Sequence, residues 1–133
     1  MLGVYKDELL FEKYQSDERA SEFLPKILQN LLEKYSLEKL IYANGPGSFM
    51  GIKISFLCFQ TLSIVKNIPM FAVSGFELNG FKPISANNQL CFVYENKQIS
   101  LQKAAGAEFF LPDHLSCLNL SEDILPFYFI DAV

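Results

Sequence analysis

The sequence predicts an α/β domain built around a parallel pair of strands. Three observations carry that prediction. Residues 37–73 run strand, loop, helix, strand, the order of a βαβ unit. Two stretches, 21–35 and 51–66, space their apolar residues as helices do. The opening residues and those around Asn96 read instead as strand pairs broken by short polar turns. Half of the 133 residues are hydrophobic and 14% are aromatic, enough for the packed core of one domain.

Taken in order, Leu2–Tyr5 and Glu8–Tyr14 flank "KD" and predict a hairpin. Ser16–Ser21 is polar and reads as a loop. The first helix is expected over Ser21–Tyr35, with apolar Phe23, Leu24, Ile27, Leu28, Leu31, Leu32 and Tyr35. Ser21 is placed as its cap, Glu22 suits the positive helix start, and Pro25 then falls in the first turn. Its apolar face spans roughly 200°, where covering one sheet needs about 100°. Leu37–Tyr42 reads as a strand, followed by the loop "NGPGSFMG" and a second helix from about Gly51 to Lys66. Ile52, Ile54, Phe56, Leu57, Cys58, Phe59, Leu62, Ile64 and Val65 surround that helix on nearly every side. A helix of this kind is buried all round, and a small chain covers only one of its faces with its own sheet. The surplus apolar surface on both helices is therefore expected to meet another element or another chain. Pro69–Val73 reads as the next strand, with Ser74 capping a short helix to about Asn79.

Beyond Gly80 the pattern changes. "QLCFVYE" and "KQISLQK" predict a hairpin, Ala107–Leu111 and Phe127–Val133 are further strand candidates, and 81–88 reads as a linker. The division expected is 1–80 and 81–133, the second part completing the first sheet or forming a reduced lobe.

Composition excludes several functions. The net charge of −4 and the scattered lysines lack the basic footprint of a stand-alone nucleic-acid binder. Cys58, Cys91 and Cys117 form no CxxC pair and read as reduced, buried thiols. The acidic and polar residues of "MLGVYKDELLFEKYQ" read against a secretory leader. Gln60, Thr61 and Ser63 interrupt the longest apolar stretch and read against a membrane span.

The glycine loop resembles nucleotide loops but matches none. A Walker A loop places four residues between its glycines, and here five lie between Gly45 and Gly51. The dinucleotide fingerprint requires glycine where Met50 stands. Backbone N–H groups near Ser48–Gly51 could still receive an anion at a helix start. The steric alternative is that Gly45 and Gly47 permit a tight turn while Gly51 lets the helix start pack closely. Ser48 follows Gly47 directly, so the G-x-S-x-G elbow is absent, and nothing brings the sole histidine, His114, beside it. One histidine without clustered carboxylates does not build a zinc or two-metal site. No metal or cofactor is expected, and the inventory favours a non-catalytic protein.

These residues resemble a family. "GPGSFMGIKIS" at 45–55 is similar to the G-P-G-S-F-T-G-[LV]-R-[IV]-G signature of the TsaB family, accessory proteins in making threonylcarbamoyladenosine on tRNA and relatives of the so-called glycoproteases. "SEFLPKIL" at 21–28 and "IPMFAVSGFEL" at 68–78 resemble two further family segments, and the likeness covers about residues 16–78. It implies an actin-like ATPase (ASKHA, ribonuclease H-like) fold, with 1–80 as the N-terminal lobe. It also implies homodimers, docking through the two helices onto the catalytic homologue TsaD and an ATPase partner TsaE, while the reduced cysteines read for a cytoplasmic location. The signature residues are Gly45, Pro46, Gly47, Ser48, Phe49 and Gly51, with Phe49 as a structural anchor. The partner interface is expected at Leu24, Leu28, Leu31, Leu32, Phe56, Phe59 and Leu62. Met50, Lys53 and Ser55 depart from the family's Thr, Arg and Gly. "MLGVYKDELLFEKY" resembles the family's second and third strands, so the fold expected is truncated at the first strand and reduced in its second lobe. The resulting expectation is a non-catalytic scaffold and activator of TsaD that does not bind tRNA tightly by itself. The alternative is a glycoprotease-like peptidase or small nucleotide-binding hydrolase.

Overall fold

The structure, a computed structural model, describes residues 1–16, 19–47, 49–86 and 90–126, with Ala20 and Phe49 described by backbone alone. The chain opens with β1 (Leu2–Lys6) and β2 (Leu9–Tyr14), an antiparallel hairpin. Its turn residues are Asp7 and Glu8, one position later than the spacing suggests. Both have left-handed backbone (φ 53° and 67°), which matches the right-handed twist of a two-residue hairpin. A bulge beside Val4 and Tyr5 shifts the register, since Val4 faces Glu12 while Tyr5 faces Leu10.

Helix α1 (Ala20–Lys34) begins one residue before the expected cap. Arg19 stands at the cap without a side-chain bond, its carbonyl accepting from Phe23 N–H at 2.9 Å. Ser21 is therefore inside the helix, and Pro25 is its sixth residue rather than a first-turn residue. There Pro25 leaves the Ser21 carbonyl without an i+4 donor. Leu24, Leu28 and Leu31 are buried along one stripe.

The βαβ unit forms as predicted. β3 (Leu40–Ala43) and β4 (Met70–Val73) pair in parallel, Leu40 opposite Met70 and Ala43 opposite Val73. Helix α2 (Phe49–Lys66) makes the crossover and packs on β3, β4 and α1. One core joins Leu2 of β1, the α1 leucines, Leu40, Tyr42, Ile52, Phe59, Met70 and Ala72. The two-stranded sheets β1–β2 and β3–β4 thus lie under one pair of helices without pairing with each other.

Ser74 caps a 3-10 turn, Gly75–Leu78, its hydroxyl accepting from Phe76 N–H at 3.2 Å. Of the expected linker 81–88, residues 87 and 88 lie outside the described residues, and 81–86 are not a linker, because Ile84 is buried and β5 (Ile84–Ser85) pairs with β6 (Cys91–Glu95). β6 and β7 (Gln98–Gln102) form the expected hairpin around Asn96 and Lys97, again with left-handed turn residues. A second small core holds Phe76, Ile84 and Phe92. The 107–111 segment is not a strand. Instead Ala107 N–H donates to the Pro83 carbonyl and Phe110 N–H to the Leu78 carbonyl. The chain then returns to the first core. His114 bridges Leu9 of β2, Ser121 bridges Ala72 of β4, and a 3-10 turn (Leu115–Cys117) lies between them. The strand candidate 127–133 lies outside the described residues.

Candidate functional site

Two features were singled out by the sequence, the glycine loop and the helix pair. The loop leaves the C-terminal end of β3. Asn44 is 5% exposed, and its N–H donates to the Val73 carbonyl at 3.0 Å, extending the β3–β4 pairing by one residue. Gly45 then has φ +118°, a backbone that side chains rarely adopt, and the Gly45–Pro46 peptide is cis. Gly45 and Pro46 are buried, and Gly47 is half-buried against Ile52 and Phe109. Only Gly45 of the predicted turn glycines uses a positive φ. Gly51 lies half-buried in the first turn of α2, while Ser48 and the side chain of Phe49 fall outside the described residues.

Gly75 holds the loop from the other side. Its N–H donates to the Gly45 carbonyl at 3.0 Å, and a Cβ built there would stand 2.7 Å from the Pro46 carbonyl oxygen. The loop is thus packed backbone to backbone on the β4 turn. At Gly45 the glycine thus serves a tight turn, as the steric reading has it. Asn44 and Gly75 were not singled out in the sequence, and only the third dimension brings them to the loop.

The helix pair divides its apolar residues between two jobs. Leu24, Leu28, Leu31 and Phe59 are buried in the chain's own core, with Phe56 and Leu62 packed at its margin. Phe56 also tilts against Tyr42, their ring centroids 5.8 Å apart. On the outer side, α1 and α2 enclose an open groove of about 450 Å³. Pro25, Leu28, Gln29 and Leu32 line it from α1, and Leu57, Cys58, Thr61 and Leu62 from α2. Burial pushes the Cys58 thiol up in pKa, so it stays protonated near neutrality. Leu57, which lines the groove, is 47% exposed, and beyond it Ile64 is 75% and Val65 71% exposed. Helix α2 is therefore not buried all round. The chain covers one face and leaves the other apolar and open, as the surplus of apolar residues required. Leu57, Thr61, Ile64 and Val65 follow i, i+4, i+7, i+8 spacing, a second-face signal that was readable in the sequence.

Among the described residues the chemistry-bearing side chains do not converge. Among the described residues no group of three His, Cys, Asp or Glu side chains could hold a metal. His114 is exposed beside β2. Cys58 is half-buried and Cys91 buried, its thiol donating to the Ala104 carbonyl at 3.1 Å, but Cys117 is exposed, which corrects the reading of three buried thiols. Among the described residues no helix is long and apolar enough to cross a membrane.

Comparison with known proteins bears on the resemblance. No protein-family model matches the chain. The chain is 34% identical over 79 residues to the tRNA threonylcarbamoyladenosine biosynthesis protein TsaB of Buchnera aphidicola (subsp. Schizaphis graminum), a match covering 55% of this chain and 38% of that protein. The chain thus spans well under half the length of this curated relative. Among solved structures, YeaZ from Pseudomonas aeruginosa aligns with a TM-score of 0.46 at 18% identity, over 63% of this chain and 50% of that one. The curated match supports the resemblance to the TsaB family that the loop and helix motifs carry.

Proposed function

We infer that this chain, similar to TsaB in its loop, its helices and 79 aligned residues, takes part in tRNA threonylcarbamoyladenosine biosynthesis as a non-catalytic subunit. The observation that carries the reading is the open apolar groove between α1 and α2, continued by exposed Leu57, Ile64 and Val65. Apolar surface of this extent is stabilised by a protein partner. In this reading the chain folds as an actin-like lobe over 1–80 with a reduced lobe over 81–133. It docks through the helix pair onto a TsaD-like catalytic subunit, holds that subunit in its active arrangement, and works with a TsaE-like ATPase in the cytoplasm. Alone, it pairs with a second copy. The loop Gly45–Gly51 sets the angle at which α2 begins. Leu32, Phe56 and Leu62, with Leu57 added, reach the partner, while Leu28 lines the groove and Leu24, Leu31 and Phe59 lie in the chain's own core.

Size-exclusion chromatography with light scattering, on this chain alone and mixed with TsaD from the same organism, tests the reading. The expected result is a homodimer that gives way to a stable mixed complex. A monomer indifferent to TsaD would overturn it. Acidic net charge also leads to weak tRNA binding by the chain alone, and tight, salt-sensitive binding would contradict the scaffold role.

A further inference from the structure

Residues 113–125 run along two strand edges without entering the core. The carbonyls of Pro69 and Val73 accept from the N–H groups of Leu40 and Asn44, so this side of the β4 segment faces β3. On the other side, Ala72 of β4 exchanges bonds of 2.9 and 2.8 Å with Ser121. β2 is treated alike. It pairs with β1, and on its other side Leu10 N–H donates to the Asp113 carbonyl at 2.8 Å, while Leu115 N–H donates to the Glu8 carbonyl at 2.9 Å. Between these two ends the Glu77 carboxylate accepts from Asn119 N–H at 3.0 Å. Past the second end, the Tyr42 hydroxyl donates to the Ile124 carbonyl.

What the segment lacks is burial. Leu115, Leu118, Leu120 and Ile124 are half-buried, and the other residues from 113 to 125 are exposed. The strands beneath differ, since Leu40, Tyr42, Met70, Ala72 and Val73 are buried. Apolar burial is the larger part of what resists opening. A segment held at the surface mainly by backbone bonds therefore opens at lower free energy than the core under it. Pro112, by contrast, is buried, and its carbonyl accepts from the Tyr5 hydroxyl, so the segment is anchored where it begins. We propose that residues 113–125 are a clasp. They lift as one unit from the edges of β2 and β4 while the core stays folded. The bared N–H and carbonyl groups then become available to another strand, so the clasp sets when these edges can pair. This inference does not rest on the docking of the helix pair.

Amide hydrogen exchange followed by NMR, on the full chain, tests it. The donors Leu10, Leu115, Ala72 and Ser121 read the clasp, and Leu40 and Asn44 read the β3–β4 pairing. The four clasp amides are expected to share one opening and to be at least about tenfold less protected than the two core amides. Glu77→Ala removes the grip on Asn119, in the middle of the segment. It should speed exchange at all four clasp amides by one common factor of roughly two to ten, the loss of a single hydrogen bond, and leave Leu40 and Asn44 unchanged. Should that change disturb the turn that carries Glu77, Tyr42→Phe replaces it, since it removes the hydroxyl at Ile124 and keeps the ring. Faster exchange at Ala72 and Ser121 with Leu10 and Leu115 unaltered would overturn the proposal, because the two ends would then open separately. So would clasp amides as protected as Leu40 and Asn44, or no change at either end in both variants.

Discussion

At Gly75 a missing methyl group lets two turns share one space. Its neighbour on that side is the Pro46 carbonyl, and backbone does not yield as a flexible side chain does. Gly75→Ala should therefore destabilise the protein by about 1–3 kcal/mol in urea unfolding, and an unchanged midpoint would show that the loop is free to move. Glu12 illustrates a different residue-scale effect. The hydroxyls of Tyr14 and Tyr35 both donate to its carboxylate, Tyr35 at 2.9 Å, and hold it below its ordinary value of 4.5. A lowered folded pKa contributes stability above the unfolded value and loses it as pH falls through the folded one. The same bonds push Tyr14 up to about 12 and raise Tyr35, so the tyrosine contribution is present below about 10 and lost as pH rises through the raised values. Glu12→Gln should flatten the acid side of a plot of Tm against pH. A steep acid limb in the variant would assign that limb to other carboxylates.

At the scale of elements, α1 and α2 separate burial for folding from surface left for contact. Leu31→Ala removes a side chain that is 3% exposed and should cost about 2–5 kcal/mol. Ile64→Ser, on the open face of α2, should change stability by less than about 0.5 kcal/mol and weaken self-association in light scattering. If Ile64→Ser destabilised the monomer as Leu31→Ala does, the outer face would be core. Helix periodicity made both elements legible, but not their ends. Ser21 reads as the cap, yet the helix starts after Arg19, which makes no side-chain cap bond. The first hairpin turn slid from Lys6-Asp7 to Asp7-Glu8 because pairing register, closed by Lys6 opposite Leu9, decides which two residues turn. Ile84 reads as linker because a two-residue strand carries no periodicity.

Across the whole molecule, stability is unevenly distributed. The first core gathers two sheets and two helices, whereas the second rests on Phe76, Ile84 and Phe92 under a three-stranded sheet. Strands β5, β6 and β7 should therefore exchange their amides through a partial opening of lower free energy than the β3–β4 pair. Identical protection across both regions would show that they unfold as one unit. Asn79 stitches the junction, its amide donating to the carbonyls of Lys82 and Pro83 at 2.8 and 3.3 Å.

Sequence order and periodicity were sufficient for the βαβ unit, both long helices, the two hairpins and the excess of apolar surface on α2, because each is a local pattern of spacing. Tertiary structure alone determined which apolar residues became core and which became groove. It also brought Gly75 and Asn44 to the loop and returned residues 112–125 to the edges of β2 and β4. The reason is physical. A helix residue's face is set by its own period, but what covers that face depends on contacts between residues far apart in the chain, and no local pattern encodes those.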